Sequence, residues 1–168
     1  MAGALIVTAE MAGPDQAWLD RLRRAHFPPE RNHLSAHLTM FHALPPSCEE
    51  EAKRLLAQEA RERAPKATIA GLMNLGRGAA YRVVSADLDS IRGRIASHFH
   101  GMLTAQDGQG WRPHVTIQNK VEPKAARALI GELDAAFKPM PLKISGLGLY
   151  RYSGGPWEEV RIYPFRGV

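Results

Sequence analysis

The chain carries two copies of a four-residue string that restricts how it can fold. Residues 37–40 read His-Leu-Thr-Met and residues 114–117 read His-Val-Thr-Ile. In a β-strand, side chains alternate between the two faces, so each string directs its histidine and threonine to one face and its apolar residues into a core. If the two strands lie side by side, two imidazoles and two hydroxyls surround one cleft. Such a cleft is suited to holding a phosphate and to moving protons on either side of it.

Strand and helix patterns alternate along the chain, with Pro and Gly residues at the boundaries. Each His-Thr string is followed by a helical segment and then by two strands, which is a loose internal duplication. We therefore predict an α+β fold in which two pseudo-symmetric lobes of antiparallel sheet with flanking helices surround a central cleft, within a single domain spanning residues 1–168. The predicted strands cover residues 5–10, 37–43, 66–75, 79–86, 143–152 and 157–163, with a second His-Thr strand that contains residues 114–117. The predicted helices cover residues 49–63, 88–103 and 122–137, after a first helix that contains Trp18, Leu19 and Leu22.

The composition suits an enzyme-sized domain whose partner carries phosphates. The 168 residues are 45% hydrophobic, which is enough for a core that needs no disulfide. The net charge is +5 and the pI is near 9.7, and a basic field attracts polyanions. The one cysteine, Cys48, excludes an internal disulfide and a cysteine-based metal cage. We expect no cofactor and no metal.

The apolar segments predict a cytoplasmic location. Residues 1–11 are apolar, but they lack the basic leader and the cleavage site of a signal peptide. No apolar run approaches the length that spans a membrane, so we expect no membrane partner. Nothing in the sequence resembles a dimerisation stripe. A monomer without an obligate protein partner is therefore expected.

These residues resemble those of the two-histidine (2H) phosphoesterases, which include bacterial 2′-5′ RNA ligase-like proteins and cyclic nucleotide phosphodiesterases. The hallmark of that family is two copies of His-x-Thr/Ser-x, each on a strand, and the flanking strings HLTMFHALP and WRPHVTIQNKV also look like its bacterial branch. The resemblance extends over residues 5–163. It implies a two-lobed α+β fold and metal-independent chemistry on RNA or nucleotides, namely hydrolysis of 2′,3′-cyclic phosphates or cleavage and joining of 2′-5′ linkages.

Two histidines and two threonines are expected to carry this chemistry. Opening a cyclic phosphodiester with water requires a base for the nucleophile and an acid for the leaving oxygen, and histidine can serve as either. His37 and His114 are therefore the expected catalytic residues. Thr39 and Thr116 can donate hydrogen bonds to the nonbridging phosphoryl oxygens. The residue types do not assign the base; we expect His114 as base and His37 as acid in hydrolysis, with the roles exchanged in ligation.

Further substrate contacts are expected from four other residues. Many members of the family carry an arginine shortly after the second motif that approaches the phosphate, but this chain has Gln-Asn-Lys at residues 118–120. Lys120 can replace that arginine as a point charge if the strand continues unbent. Arg112 and Arg151 are candidates for clamping the phosphate backbone, and Tyr150 for stacking on a base.

The other histidines are expected to have no catalytic role. His42 lies five residues after His37, so alternation along the strand points it to the opposite face, where it is structural or lines a neighbouring surface. His98 and His100 diverge by about 200° on a helix and cannot form a chelating pair. We therefore predict no metal site.

Two other functions are open on the sequence alone. The substrate could be a small nucleotide-derived cyclic phosphate instead of an RNA end. The chain could also be a noncatalytic RNA-binding module that retains the cleft. Such a module would bind RNA with strong salt dependence, and changing either histidine to alanine would leave its affinity intact.

Overall fold

The computed structural model describes residues 3–167, so the first two residues of the apolar N-terminal segment and the last residue of the predicted 1–168 domain lie outside the described part. Its strands are β1 (Ala4–Met11), β2 (Leu38–Leu44), β3 (Lys66–Asn74), β4 (Ala79–Val84), β5 (His114–Gln118), β6 (Met140–Tyr152) and β7 (Glu158–Pro164). Its α-helices are α1 (Gly13–His26), α2 (Glu49–Glu59), α3 (Ala86–His98), α4 (Ala105–Gly108) and α5 (Pro123–Ala135). Short 3-10 turns cover Pro29–Arg31 and Pro46–Cys48.

Local sequence explains several of these boundaries. The Ser85 hydroxyl caps α3 by accepting a hydrogen bond from the backbone N–H of Leu88 at 3.0 Å. Helix α3 ends at His98, earlier than the predicted residue 103, and Gly101 then adopts a φ of +83°, which only glycine reaches readily. Strand β6 begins before the predicted residue 143, so Pro141 lies inside a strand. It is close to the first residue of that strand, where a missing N–H is tolerated.

The strands form one antiparallel path in which β6 joins two lobes. The strand order is β2-β1-β6-β3-β4-β5, and β7 also pairs with β6. The first residues of β6 pair with β3, whereas residues from Ile144 onward pair with β1. One lobe therefore contains β2, β1, β7 and most of β6, and the other contains β5, β4, β3 and the start of β6. The predicted α+β fold with two antiparallel lobes is confirmed.

The two lobes are built from two similar repeats that exchange their last strands. The first repeat runs β1-α1-β2-α2-β3 and the second runs β4-α3-β5-α5-β6, with the short α4 inserted before β5. The last strand of each repeat pairs into the other lobe, because β3 pairs with β4 and β6 pairs with β1. Backbone hydrogen bonds therefore tie the lobes together.

The apolar residues of the two His-Thr strings lie in the core, as alternation predicts. Leu38, Met40, Val115 and Ile117 are fully buried at 0% exposure. The histidine and threonine of each string are only half-buried. These exposures confirm the sequence prediction that each string presents one imidazole and one hydroxyl away from the core.

Both His-Thr strands contain a β-bulge directly after the threonine. Val7 of β1 is opposite Phe41 of β2, and the next β1 residue, Thr8, is opposite Thr39. Strand β2 therefore contains one extra residue, Met40, at this point. In β5, the equivalent shift lies between the pairs Ala79–Gln118 and Ala80–Thr116. A bulge interrupts the alternation of faces, and two consecutive residues of each strand are consequently buried.

The bulge in β2 corrects the expected orientation of His42. Met40 and Phe41 both point into the core, so the next residue returns to the face that carries Thr39. The sequence prediction that His42 lies on the face opposite His37 is therefore wrong. Alternation failed because the register between β1 and β2 shifts at this point, and that register is not visible in the sequence of β2.

Candidate active site

Strands β2 and β5 are the two ends of the sheet path, and they approach each other across the cleft. Between them lies a cavity of about 310 Å³, here called the central cavity, which is lined by His37, Thr39, His114 and Thr116. The structure thus brings together the four residues that the sequence singles out. It does so from two strands that belong to different lobes.

The two histidines are held in the same way. The Nδ1 atom of His37 lies 2.8 Å from the backbone oxygen of Ser35, and Nδ1 of His114 lies 2.8 Å from the backbone oxygen of Arg112. A carbonyl oxygen only accepts hydrogen bonds, so each Nδ1 must carry the proton. In the neutral ring, Nε2 then has a free lone pair. Each ring can therefore accept a proton at Nε2, or donate one from Nε2 after protonation.

The surroundings of His37 favour its neutral form. Burial lowers the pKa of His37 below its ordinary value, and the positive charges of Arg23, His114 and His42 lower it further, against an opposing hydrogen bond to Ser35. The indole of Trp157 covers the imidazole, with 4.8 Å between the ring centroids.

Two buried arginines brace the strands that carry the histidines. Arg23 of α1 is 3% exposed, and its Nη1 donates to the backbone oxygen of Thr116 at 2.9 Å. Arg92 of α3 donates from Nε to the backbone oxygen of Met40 at 3.0 Å and from Nη2 to that of Asp107 at 2.6 Å. Each arginine comes from one repeat and holds the His-Thr strand of the other. The distance between the two His-Thr strands across the cleft thus depends on Arg23 and Arg92, which lie outside both strings.

Arg112 and Tyr150 lie beside the histidines. Arg112 lines the central cavity. Tyr150 lines an adjacent cavity of about 410 Å³ that it shares with His37 and Trp157. Its hydroxyl donates to Oε1 of Glu10 at 3.0 Å, and burial together with that carboxylate raises the pKa of Tyr150 well above its ordinary value. Tyr150 therefore presents a neutral phenol to this cavity.

The structure does not bring Lys120 and Arg151 to the cavities that adjoin the histidines. Strand β5 ends at Gln118, and Lys120 has a φ of 63°, so the chain turns where alternation required it to continue straight. Arg151 is bonded to the carboxylates of Glu49 and Glu158. Its guanidinium is thus engaged by two anions, and local sequence did not predict the pairing with Glu49 because that residue is 102 positions away along the chain.

A third cavity, of about 700 Å³, adjoins His37. Its lining combines aromatic and basic side chains, and it includes His37, Thr116 and Trp157. Trp157 lines all three cavities. Sequence reasoning did not select this residue for the site. It sits in an ordinary Gly-rich turn segment, and only tertiary packing places it on His37.

Within residues 3–167, no three His, Cys, Asp or Glu side chains are grouped as they would be to hold a metal ion. Over the same residues, no helix combines the length and the apolar character needed to cross a bilayer.

Comparison with known proteins identifies the family. Among solved structures, TT0787 of Thermus thermophilus is 15% identical, with a TM-score of 0.67 over 98% of each chain. The E. coli LigT structure complexed with NADP+ is 18% identical, with a TM-score of 0.62 over 99% of each chain. E. coli LigT complexed with 3′-AMP is 16% identical, with a TM-score of 0.57 over 98% of this chain and 99% of that one.

These structures share the fold, whereas no curated protein matches the sequence. A family model described as the 2′-5′ RNA ligase superfamily matches residues 12–156, which is most of the chain. The resemblance to the 2H phosphoesterases that the sequence suggests is confirmed. The chain belongs to the 2′-5′ RNA ligase superfamily.

Proposed function

We propose that this protein is a metal-independent phosphoesterase that hydrolyses 2′,3′-cyclic phosphates, or cleaves or joins 2′-5′ phosphodiester linkages, in RNA or nucleotides. One observation carries the proposal. Two histidines with the same Nδ1 anchor, each accompanied by a threonine, line one cavity from opposite lobes. Acid–base catalysis on the two sides of a phosphate requires two such groups. The cytoplasm as compartment, the monomer and the single domain of residues 1–168 belong to the same proposal.

The reaction follows from these positions. One imidazole takes a proton at Nε2 from the attacking water, and the other donates its Nε2 proton to the oxygen that leaves phosphorus. The hydroxyls of Thr39 and Thr116 donate to the nonbridging oxygens, which carry growing charge in the five-coordinate transition state. The carbonyls of Ser35 and Arg112 accept from Nδ1 throughout. They therefore favour the imidazolium that each ring becomes in turn.

We keep His114 as the base and His37 as the acid for hydrolysis. Because its pKa is lowered, protonated His37 is a stronger acid and a more effective donor to an alkoxide leaving group. The negative charge of a bound phosphate favours protonation of the ring before the reaction.

A 4-nitrophenyl phosphodiester tests this assignment, because its leaving group needs no proton. His37→Ala should lose far less activity on that ester than on the cyclic phosphate, whereas His114→Ala should lose activity on both.

Two further residues are proposed to contact the substrate. Arg112 lines the central cavity and would bind a phosphate, and Tyr150 lines the adjacent cavity and would stack on a base. The basic net charge supports an RNA end or a nucleotide as the partner. A noncatalytic RNA-binding module would not require identical Nδ1 anchors on both histidines. The symmetric anchoring of His37 and His114 therefore favours catalysis.

Hydrolysis in the presence of EDTA tests the proposal. The substrates are nucleoside 2′,3′-cyclic monophosphates and a short RNA that ends in a cyclic phosphate. His37→Ala and His114→Ala should each lower kcat by about 10²- to 10⁴-fold. His100→Ala is the matched control, because His100 is exposed and lies outside the three cavities. Absence of turnover in the wild type, with RNA binding intact in all variants, would establish the binding module instead.

A further inference from the structure

A third histidine lines the central cavity. His42 shares this cavity with His37 and His114, and its side chain is 42% exposed. The β2 bulge is what turns it to this side. His42 follows Thr39 by three residues, which is about 10 Å of strand at roughly 3.3 Å per residue. His42 is therefore displaced along the strand from His37 and Thr39 while it lines the same cavity.

A buried carboxylate fixes the ring of His42. Asp107, in α4, is 1% exposed and lies 3.1 Å from Nδ1 of His42. The same carboxylate accepts from the backbone N–H of His42 at 2.9 Å and from that of Ala43 at 2.9 Å. Burial alone would raise the pKa of Asp107, but these hydrogen bonds outweigh it and hold the pKa below its ordinary value. The ionised carboxylate only accepts, so Nδ1 of His42 carries a proton and Nε2 is the nitrogen left for a ligand.

The opposite strand has no such group. Asn119 lies five residues after His114, as His42 lies five residues after His37, and it also follows a bulge. Asn119 lines the third cavity and cannot carry a charge. The two equivalent positions are therefore chemically different. An ionisable imidazole lines the central cavity beyond the β2 motif, and a neutral amide lines the third cavity beyond the β5 motif.

The surroundings of His42 suit an anion. The lining of the central cavity includes Arg112 and three histidines, while its one carboxylate, Asp107, is already bonded to β2. Gln106 and Gln109 add polar side chains from the same segment. We propose that His42 and Arg112 form a second phosphate subsite next to the reacting phosphate. This inference rests on the proposed function and narrows its substrate class to RNA ends, which carry a further phosphodiester beside the terminal cyclic phosphate.

A matched pair of dinucleotides tests the subsite. Both end in a 2′,3′-cyclic phosphate, and they differ only in the internal linkage, which is a phosphodiester in one and an uncharged methylphosphonate in the other. The wild type should show kcat/KM at least about tenfold higher for the phosphodiester, as expected for a charge-assisted hydrogen bond. His42→Ala should lower the ratio several-fold, and the preference that is left is due to Arg112. His42→Lys should preserve most of the ratio, because a lysine ammonium donates to a phosphodiester oxygen, and His42→Gln should not.

Asn119→Ala is the matched control, because it changes the equivalent position on the other strand. It should leave the ratio between the two dinucleotides unaltered. A wild-type ratio near one, or a ratio that His42→Ala does not change, would overturn the subsite while leaving the two-histidine reaction in place. If the wild type turns over neither dinucleotide, the proposed function fails. The subsite is then tested by the ratio of Kd values for the same pair ending in a 3′-phosphate.

Discussion

Arg92 provides the most direct test of how the site is held together. Arg92 is 9% exposed, and its guanidinium donates to two backbone oxygens, those of Met40 and Asp107. It also lies 4.5 Å from the centroid of the Phe41 ring. Arg92→Met keeps the apolar part of the side chain but removes both hydrogen bonds. At about 1.5–3 kcal/mol for each hydrogen bond from a charged group, the free energy of unfolding should fall by about 3–6 kcal/mol.

Urea denaturation followed by tryptophan fluorescence measures this loss. With an m-value of about 2 kcal/mol/M, the midpoint should fall by about 1.5–3 M. Arg94→Met is the control from the same helix. Arg94 is 57% exposed and pairs with Glu59 at the surface, so its loss should cost no more than about 1 kcal/mol. Equal and small shifts for both variants would refute the bracing role of Arg92.

Three further predictions concern the ionisable groups of the site. In nitrogen-detected NMR, both His37 and His114 should be protonated at Nδ1 in their neutral forms, and His37 should titrate below its ordinary value of 6.5. Trp157→Ala should expose His37 and raise the midpoint of the His37 titration toward 6.5, whereas Trp157→Phe should leave that midpoint low. An unchanged midpoint in the alanine variant would show that the indole does not bury the imidazole. The pKa of Asp107 is lowered from 3.8, so the ionised carboxylate stabilises the fold above pH 3.8, and this stabilisation is lost as the pH falls through the lowered pKa. Asp107→Asn should therefore make the free energy of unfolding, measured by urea denaturation, depend less steeply on pH in the acid range.

Much of the fold could be predicted because its signals are local. The positions of the strands and helices follow from apolar periodicity, Pro and Gly boundaries, and caps such as Ser85. The orientation of the residues at 38, 40, 115 and 117 follows from strand alternation, and all four are buried. The repetition of the His-Thr strings also predicted that two similar lobes would face one another. Each of these inferences needs only a few neighbouring residues.

The features of the site that the sequence did not predict depend on contacts between distant segments. The orientation of His42 depends on the register of β1 against β2, where an extra residue is accommodated. The chain turns at Lys120 because β5 has already ended, so strand alternation does not apply there. Arg151 is engaged by Glu49, which is far from it in sequence. No local pattern in the chain contains this information.

The sequence by itself determined which groups could carry the chemistry, since two repeated strings define two imidazoles and two hydroxyls and alternation separates them from the core. Tertiary structure decided how those groups are set relative to one another. The exchange of β3 and β6 between repeats, together with the reach of Arg23 and Arg92 across the cleft, places β2 against β5. Tertiary packing also brought Trp157 and His42 to the site. The physical reason is that periodicity is a property of one segment, whereas register, bulges and buried hydrogen bonds arise only when separate segments pack together.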